Sequence, residues 1–106
     1  MWRARRYVEE RYADGLRLQQ LAEHVSLSPY YFLRVFRAEV GMPPHAYLDS
    51  VRVRHAQRLI EAGEPLARVA ADVGYSSQSH FTRSFKRIIG ATPGQYARQP
   101  GRAPAA

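Results

Sequence analysis

Cysteine is absent from the 106-residue sequence, which excludes disulfide bonds and metal sites built on thiolates. Long hydrophobic runs are missing as well, since no apolar stretch approaches the roughly 18–20 residues that a helix needs to cross a bilayer. The opening segment MWRARRYVEERY also lacks the apolar region of a signal peptide. We therefore expect a cytoplasmic protein.

Recognisable catalytic and metal-binding patterns are lacking too. The histidines, His24, His45, His55 and His80, do not lie at the spacing of metal ligands. No nucleophile elbow, phosphate-binding loop or catalytic pair of carboxylates can be identified. We expect no metal, no cofactor and no enzymatic activity.

Acidic residues are missing from the last third of the chain, because none follows Asp72. That segment instead carries five basic residues, which are Arg83, Lys86, Arg87, Arg98 and Arg102. The whole chain has a net charge of +7, and only one of its sixteen basic residues is lysine. Arginine suits bidentate recognition of phosphates and guanine edges, although a GC-rich genome would produce the same bias. The charge predicts an anionic partner: nucleic acid, a membrane surface or an acidic protein.

Apolar residues recur at helical spacing along the whole chain, and no segment alternates as a strand would. We predict an all-α fold of about seven helices. In the first helix, Trp2, Tyr7, Val8 and Tyr12 form the expected apolar side. The predicted helices cover residues 1–13, 18–25, 29–40, 44–62 and 66–73, with a sixth capped by Ser76 or Ser77 and a seventh that starts at Thr92-Pro93.

The sequence contains an internal duplication. A shift of 48 residues places Leu18 on Leu66, Ala22 on Ala70, Val25 on Val73 and Ser28 on Ser76. One residue is then inserted, and a shift of 49 places Phe32 on Phe81, Arg34 on Arg83, Phe36 on Phe85, Gly41 on Gly90, Pro44 on Pro93 and Tyr47 on Tyr96. Each copy reads as a short helix, a tight turn and a longer helix, which is the helix-turn-helix arrangement. The pattern alone does not separate this arrangement from a plain helical bundle.

The duplication predicts two homeodomain-like subdomains joined by a long helix. We expect the first subdomain over residues 1–42, the linker helix over 43–63, the second subdomain over 64–98 and a flexible tail over 99–106. A helix of about 19 residues is ~28 Å long, and successive major-groove faces of a duplex are ~34–36 Å apart. Such a linker would suit two heads that enter adjacent major grooves.

Each longer helix divides into an apolar and a polar face at ~100° per residue. The predicted inward residues are Phe32, Val35, Phe36 and Val40 in the first copy and Phe81, Ser84, Phe85, Ile88 and Ile89 in the second. The predicted outward residues are Tyr30, Arg34 and Arg37 in the first copy and Ser79, Arg83 and Lys86 in the second, with Gln78 at the tip. Neither outer face holds a carboxylate, whereas arginine can read guanine and glutamine can read adenine. The pattern favours an electron-rich DNA groove as the partner.

The stretch from Gly74 to Arg87, GYSSQSHFTRSFKR, followed by Gly90 to Tyr96, GATPGQY, resembles the signature of the AraC/XylS family of bacterial transcription regulators. The first copy resembles the family's first helix-turn-helix at Leu21-Ala22, Leu27-Ser28-Pro29, Phe32, Arg34, Phe36 and Gly41. The resemblance covers about residues 7–98. It implies sequence-specific binding of double-stranded DNA near promoters and activation, less often repression, of transcription.

The resemblance also implies roles for individual residues. Base-reading residues would be Tyr30, Leu33 and Arg34 in the first copy and Gln78, Ser79, His80, Thr82 and Arg83 in the second. Phosphate contacts would come from Ser28, Tyr31, Arg37, Ser77, Lys86 and Arg87. RNA polymerase is a possible further partner, and membranes are not.

Three features depart from the family pattern. Arg17 and Pro65 occupy positions where the second and fifth helices would want a capping side chain, so loose helix starts are expected. Leu33 is apolar on a reading face, where it would contact a thymine methyl group or pack back onto the protein. Most family members also carry a sensor domain, so we expect either a short stand-alone member or, with slight preference, a fragment whose effector-binding domain lies elsewhere. The alternative function is a helical domain that binds an acidic protein, such as an RNA polymerase subunit.

Overall fold

A computed structural model describes residues 1–99, and every regular element within this part of the chain is a helix. The helices are α1 Trp2–Arg11, α2 Leu18–His24, α3 Pro29–Val40, α4 Pro44–Glu61, α5 Leu66–Asp72, α6 Gln78–Ile89 and α7 Pro93–Arg98. The prediction of an all-α fold with seven helices is confirmed. None of these helices is both long and apolar enough to cross a membrane.

The chain divides within α4 into two compact units, the first of residues 1–51 and the second beginning at Arg52. The finer division into residues 1–42, 43–63 and 64–98 stays a prediction. The predicted flexible tail, 99–106, lies outside the described residues from position 100 onward.

The core of the first unit combines small side chains on α1 and α2 with two phenylalanines on α3. Ala4 and Val8 of α1, Leu21 of α2, and Phe32 and Phe36 of α3 are all buried. The two phenylalanines lie one helical turn apart, and their ring centroids are 5.5 Å from each other. The inward face predicted for α3 is confirmed at these two positions.

The apolar side predicted for α1 is wrong at Trp2, whose side chain is 66% exposed. Ala4 is fully buried instead. Two residues along a helix turn the direction of the side chain by about 160°, counted the shorter way. Once Ala4 and Val8 face the core, Trp2 must therefore point away from it.

The core of the second unit has the same plan. Val69 and Ala70 of α5, Phe81 and Phe85 of α6, and Tyr96 of α7 are buried. The ring centroids of Phe81 and Phe85 are 5.7 Å apart, and those of Phe85 and Tyr96 are 5.5 Å apart in an edge-on arrangement. The paired phenylalanines of the two units thus occupy equivalent places.

The duplication extends to hydrogen bonds between side chains. In the first unit the Tyr47 hydroxyl donates to Glu9 Oε2 at 3.1 Å. In the second unit Gln57 Nε2 donates to the Tyr96 hydroxyl at 3.4 Å, and that hydroxyl donates to the Glu61 carboxylate. Glu9 and Gln57 are 48 residues apart, and Tyr47 and Tyr96 are 49 apart, so the two pairs are equivalent.

The inward position predicted for Ile88 is wrong, because this side chain is 40% exposed. Its helical angle points toward the core, but it belongs to the last turn of α6. The equivalent residue of the first unit, 49 positions earlier, is the exposed Glu39. Neither unit therefore covers this position, and angular spacing alone cannot reveal where the covering elements end.

The helix starts at Arg17 and Pro65 lack a side-chain cap, as the sequence indicates. At α2, however, the Gln20 side chain accepts a hydrogen bond from the Arg17 backbone N–H at 2.8 Å. This bond resembles one half of a capping box. At α5 the Pro65 carbonyl accepts from the backbone N–H of Arg68 at 2.9 Å. The start of α2 is therefore less loose than expected.

Both short helices end in the same backbone turn. The N–H groups of Leu27 and Tyr75 each donate to the carbonyl five residues earlier, at 2.9 Å in both units. The residue before each has a positive φ, which is +60° at Ser26 and +103° at Gly74. Leu27 is half-buried and Tyr75 is buried, so both side chains fill their turn.

We expect Ser26→Gly to stabilise the first unit by about 0.5–1 kcal/mol. A positive φ forces the β-carbon of Ser26 close to the backbone, and glycine removes this strain while it adds some entropy to the unfolded chain. Thermal unfolding followed by circular dichroism checks the change as a rise of a few degrees in Tm. The matched control is Gly74→Ser, which we expect to lower Tm. A decrease on Ser26→Gly would contradict the assignment of strain to this turn.

We expect Ser84→Ala to raise the free energy of unfolding by about 1 kcal/mol. The Ser84 side chain is fully buried on α6, and its Oγ has no hydrogen-bond partner among the described residues. A buried hydroxyl without a partner costs about 1–3 kcal/mol. Urea unfolding measures the gain, with the exposed Ser79→Ala on the same helix as a control for helix propensity. The expectation fails if Ser84→Ala is the less stable of the two variants.

Candidate nucleic-acid interface

The longer helices of the two copies, α3 and α6, are called the reading helices after their predicted role. Both begin at a serine cap. Ser28 Oγ accepts a hydrogen bond from the Tyr31 backbone N–H at 3.3 Å, and Ser77 Oγ accepts one from the His80 backbone N–H at 3.1 Å. The cap of α6 is therefore Ser77 and not Ser76. Both serines are exposed, and each hydroxyl keeps a proton to donate. Because a helix N-terminus favours anions, both hydroxyls are well placed for the predicted phosphate contacts.

The outer face of α3 is dominated by carbon surface around one arginine. Tyr30 is 71% exposed, Tyr31 is 56% exposed and Arg34 is exposed. The Arg34 guanidinium lies over the Tyr30 ring, 5.9 Å from its centroid. This contact was not foreseen from the sequence, although the i, i+4 spacing of the two residues is the signal that could have found it. It orients the arginine along the outer face.

Leu33, the third predicted base-reading residue of α3, is only 38% exposed. Its side chain lines an apolar recess together with Leu16, Leu18, Leu21 and Leu48, all within the first unit. The two roles considered for Leu33 are therefore compatible, since part of the side chain packs on the protein while the rest stays open to solvent.

The outer face of α6 brings four of its five predicted base-reading residues together. Gln78, Ser79, Thr82 and Arg83 line one open depression on the helix surface. Thr82 is half-buried and the other three are exposed. The depression therefore combines hydroxyl, amide and guanidinium groups, which are the hydrogen-bonding groups that read base edges in the major groove.

His80, the fifth predicted residue, packs against the turn that precedes α6. Its ring meets the Tyr75 ring edge-on, with centroids 5.0 Å apart. The Arg52 guanidinium lies over the Tyr75 ring, with its central carbon 5.2 Å from the ring centroid. Arg52 is only 8% exposed, so it belongs to the interior of the second unit. The sequence did not reveal that Tyr75 contacts both the Arg52 guanidinium on its ring face and the His80 ring edge-on.

The predicted phosphate-binding cations lie on the exposed surfaces of the reading helices. Arg37 of α3 and Lys86 and Arg87 of α6 are all exposed. Helix α6 contains no acidic residue, and Glu39, the acidic residue of α3, lies at the position equivalent to Ile88, on the side of the helix opposite Arg34. No carboxylate therefore opposes a phosphate at either outer face.

Other chemistry has little support in the part of the chain described. Within residues 1–99 no group of three His, Asp or Glu side chains could hold a metal ion. The recess beside Leu33 is apolar, and the depression on α6 is a shallow surface feature of one helix. The geometry supports recognition of a surface rather than enclosure of a small molecule.

Comparison with known proteins identifies the family. The family model described as a helix-turn-helix domain matches residues 21–99. The regulatory protein PocR of Salmonella typhimurium is 34% identical over 100 residues, which cover 93% of this chain and 33% of PocR. The chain thus spans about a third of the length of the curated relatives it matches.

Solved structures agree with this assignment. The DNA-binding domain of AdpA, a global transcriptional factor solved in complex with a target DNA, is 28% identical with a TM-score of 0.84, over 89% of this chain and 86% of that one. A probable AraC family transcriptional regulator from Rhodopseudomonas palustris shares the fold with a TM-score of 0.82, at 22% identity over 92% of this chain and 93% of that one. The expectations of a DNA-binding domain and of no enzymatic role are confirmed by these similarities. The chain belongs to the helix-turn-helix domain family, and its fold is that of AraC-type regulators.

Proposed function

We propose that α3 and α6 each enter the major groove of double-stranded DNA and read its sequence. Base contacts come from Tyr30, Leu33 and Arg34 on α3 and from Gln78, Ser79, His80, Thr82 and Arg83 on α6. Phosphate contacts come from Ser28, Tyr31 and Arg37 in the first unit and from Ser77, Lys86 and Arg87 in the second. The first set carries sequence preference, and the second set positions the protein on the duplex.

One observation carries this proposal: each unit presents a serine-capped helix with an exposed arginine at the same place on its outer face. Arg34 and Arg83 are equivalent by the shift of 49 residues, and both are exposed. A plain helical bundle has no reason to repeat an exposed arginine, whereas a guanine edge is read by just this side chain. The DNA complex of the AdpA domain adds support from a relative.

Both units are proposed to bind one duplex at neighbouring grooves. In support, α4 runs without interruption from Pro44 in the first unit to Glu61 in the second. A continuous helix is stiffer than a loop and favours simultaneous binding of linked units. Selection from random duplexes should then yield two half-sites whose centres are about one helical turn, 10–10.5 base pairs, apart.

The proposed setting is a bacterial promoter, with the domain acting in the cytoplasm as the DNA-binding part of a longer regulator. PocR and the other relatives matched are about three times as long as the aligned segment. In such a protein an effector-binding domain would control this domain, and contact with RNA polymerase would make it an activator. The exposed Trp2, flanked by the exposed Arg3 and Arg6 on α1, suits an acidic protein partner of that kind.

Competition binding at fixed salt tests the proposed sequence reading. Labelled duplex obtained by selection is displaced with unlabelled selected or random duplex, and we expect the selected duplex to compete at least about a thousand-fold better, the lower end of the ~10³–10⁷ span of specific binding. Equal competition by both duplexes would exclude sequence-specific recognition. A protein partner that remains bound after nuclease treatment would instead favour the protein-interaction alternative.

We expect Arg83→Ala to weaken binding to the selected duplex by about 1–3 kcal/mol and to relax preference at one base pair. The reason is the loss of a bidentate contact to a guanine edge. Binding to duplexes varied at each position measures the effect. Arg83→Lys is the matched control, because it keeps the charge and loses the bidentate geometry. Retained preference in Arg83→Ala would remove this residue from the base-reading set.

We expect Lys86→Ala to weaken binding to all duplexes alike. Each phosphate neutralised by a cation contributes about −0.9 to the slope of log K against log salt concentration. Titrations between low and moderate salt should therefore show the magnitude of the slope reduced by about one in Lys86→Ala and unchanged in Lys86→Arg. A change in sequence preference without a change in slope would place Lys86 on a base and not on a phosphate.

A further inference from the structure

We infer that α3 recognises the 5-methyl groups of thymine, so that the first unit adds apolar contacts to the arginine contact that both units share, whereas the second unit adds hydrogen bonds. This inference rests on the proposed function and adds the chemistry of the ligand at one of its two heads. The specificity-determining residues it assigns to the methyl groups are Tyr30 and Leu33.

The two reading helices can be compared position by position because they are copies. With the shift of 49 residues, Tyr30 corresponds to Ser79, and Leu33 corresponds to Thr82. The central arginine is shared, since Arg34 corresponds to Arg83. The outer faces therefore differ in one respect only at these positions: α3 has large apolar side chains where α6 has small hydroxyl-bearing ones.

The exposed carbon surface on α3 is unusual for a small helical unit. Tyr30 is 71% exposed and Leu33 is 38% exposed, and both rank among the exposed large hydrophobic residues of the chain. They lie three residues apart on one face, which makes them neighbours on the helix surface. Apolar surface exposed beside an arginine indicates a binding surface rather than a satisfied core.

Leu33 is partly covered by its own unit and partly open to solvent. Its side chain borders an apolar recess that Leu18 and Leu48 also line, and 38% of it is exposed. Tyr30 is supported on its ring face by the Arg34 guanidinium.

The thymine methyl group is the apolar feature that distinguishes one base pair from another in the major groove. It lies at the pyrimidine C5 position and is contacted by apolar side chains in direct readout. Tyr30 and Leu33 offer more carbon surface to this methyl group than Ser79 and Thr82, whose side chains are small and carry hydroxyls for hydrogen bonds to base edges. Burial of one methyl group contributes about 0.8 kcal/mol, which corresponds to about a four-fold change in affinity.

Deoxyuridine provides a direct test, because it pairs as thymine does and lacks only the methyl group. Each thymine of the selected duplex is replaced in turn by deoxyuridine, and binding of the chain is measured. We expect a loss of about 3–5-fold at one or more thymines, confined to one half-site. Replacement by 5-bromodeoxyuridine, whose bromine fills the place of the methyl group, should restore affinity.

Protein variants connect the loss to α3. The double variant Tyr30→Ser with Leu33→Ser removes the large apolar side chains of α3, and in it the deoxyuridine penalty should disappear. Tyr30→Ala, at a position too exposed to affect folding, should reduce the penalty by itself. The matched control Arg37→Ala should weaken every duplex alike and leave the penalty unchanged.

The outcomes separate the inference from the proposed function. Selected duplex that is preferred over random DNA but tolerates deoxyuridine at every thymine would overturn the inference and leave the function intact. A penalty of the same size in the double variant would also overturn it, since the methyl group would then be read elsewhere. Equal binding of selected and random duplexes, seen before any modified base is used, would instead reject the proposed function.

Discussion

The rotation of each reading helix about its own axis depends on one pair of buried phenylalanines. Phe32 and Phe36 in α3, and Phe81 and Phe85 in α6, are spaced four residues apart and are fully or almost fully buried. Two large side chains one turn apart define a stripe along the helix, and that stripe can face the core in only one rotational setting. The outer face is thereby determined as the opposite side, where Arg34 and Arg83 lie. Truncation of a buried phenylalanine to alanine costs about 3–5 kcal/mol, so the cores strongly resist rotations that would bury either arginine.

The sequence predicts this part of the structure well for a physical reason. Strong periodicity, proline at first helical positions and glycine after last ones are local signals, and all seven helices follow from them. The duplication adds an internal check, because ten matched positions must play the same role twice. The outward placement of Tyr30, Arg34, Ser79 and Arg83 follows directly from helical geometry once the phenylalanine stripe is recognised.

Failures of prediction occur where the outcome depends on a neighbouring element rather than on the helix itself. Trp2 and Ile88 are large and apolar, and hydrophobicity alone assigns both to the core. Trp2 lies outside the core because Ala4 and Val8 set the direction in which α1 faces it. Ile88 is exposed because no helix among the described residues covers the last turn of α6. The Tyr30–Arg34 and Arg52–Tyr75–His80 contacts also depend on side-chain directions that sequence periodicity does not specify. The proposed base-reading positions therefore come from the sequence, whereas the contacts that support their side chains require the structure.

The two turns show how a copied unit acquires a second chemistry without a change of fold. Ala4, Leu27 and Tyr31 of the first unit correspond by the two shifts to Arg52, Tyr75 and His80 of the second. Ala4 and Arg52 are both buried, so the same place accepts either the smallest or one of the largest side chains. It does so because the residue that fills the turn changes with it: Tyr75 offers an aromatic face to the Arg52 guanidinium, which Leu27 could not do.

The difference between the turns also affects the helix that follows. Tyr75 contacts the His80 ring, whereas Tyr31, the residue equivalent to His80, is 56% exposed. The Arg52 guanidinium and the His80 ring thus both contact Tyr75 at the start of α6, and that start carries the polar side chains that we propose to read base edges. Apolar contacts tolerate looser geometry than hydrogen bonds do, which is consistent with the simpler turn in front of the apolar face of α3.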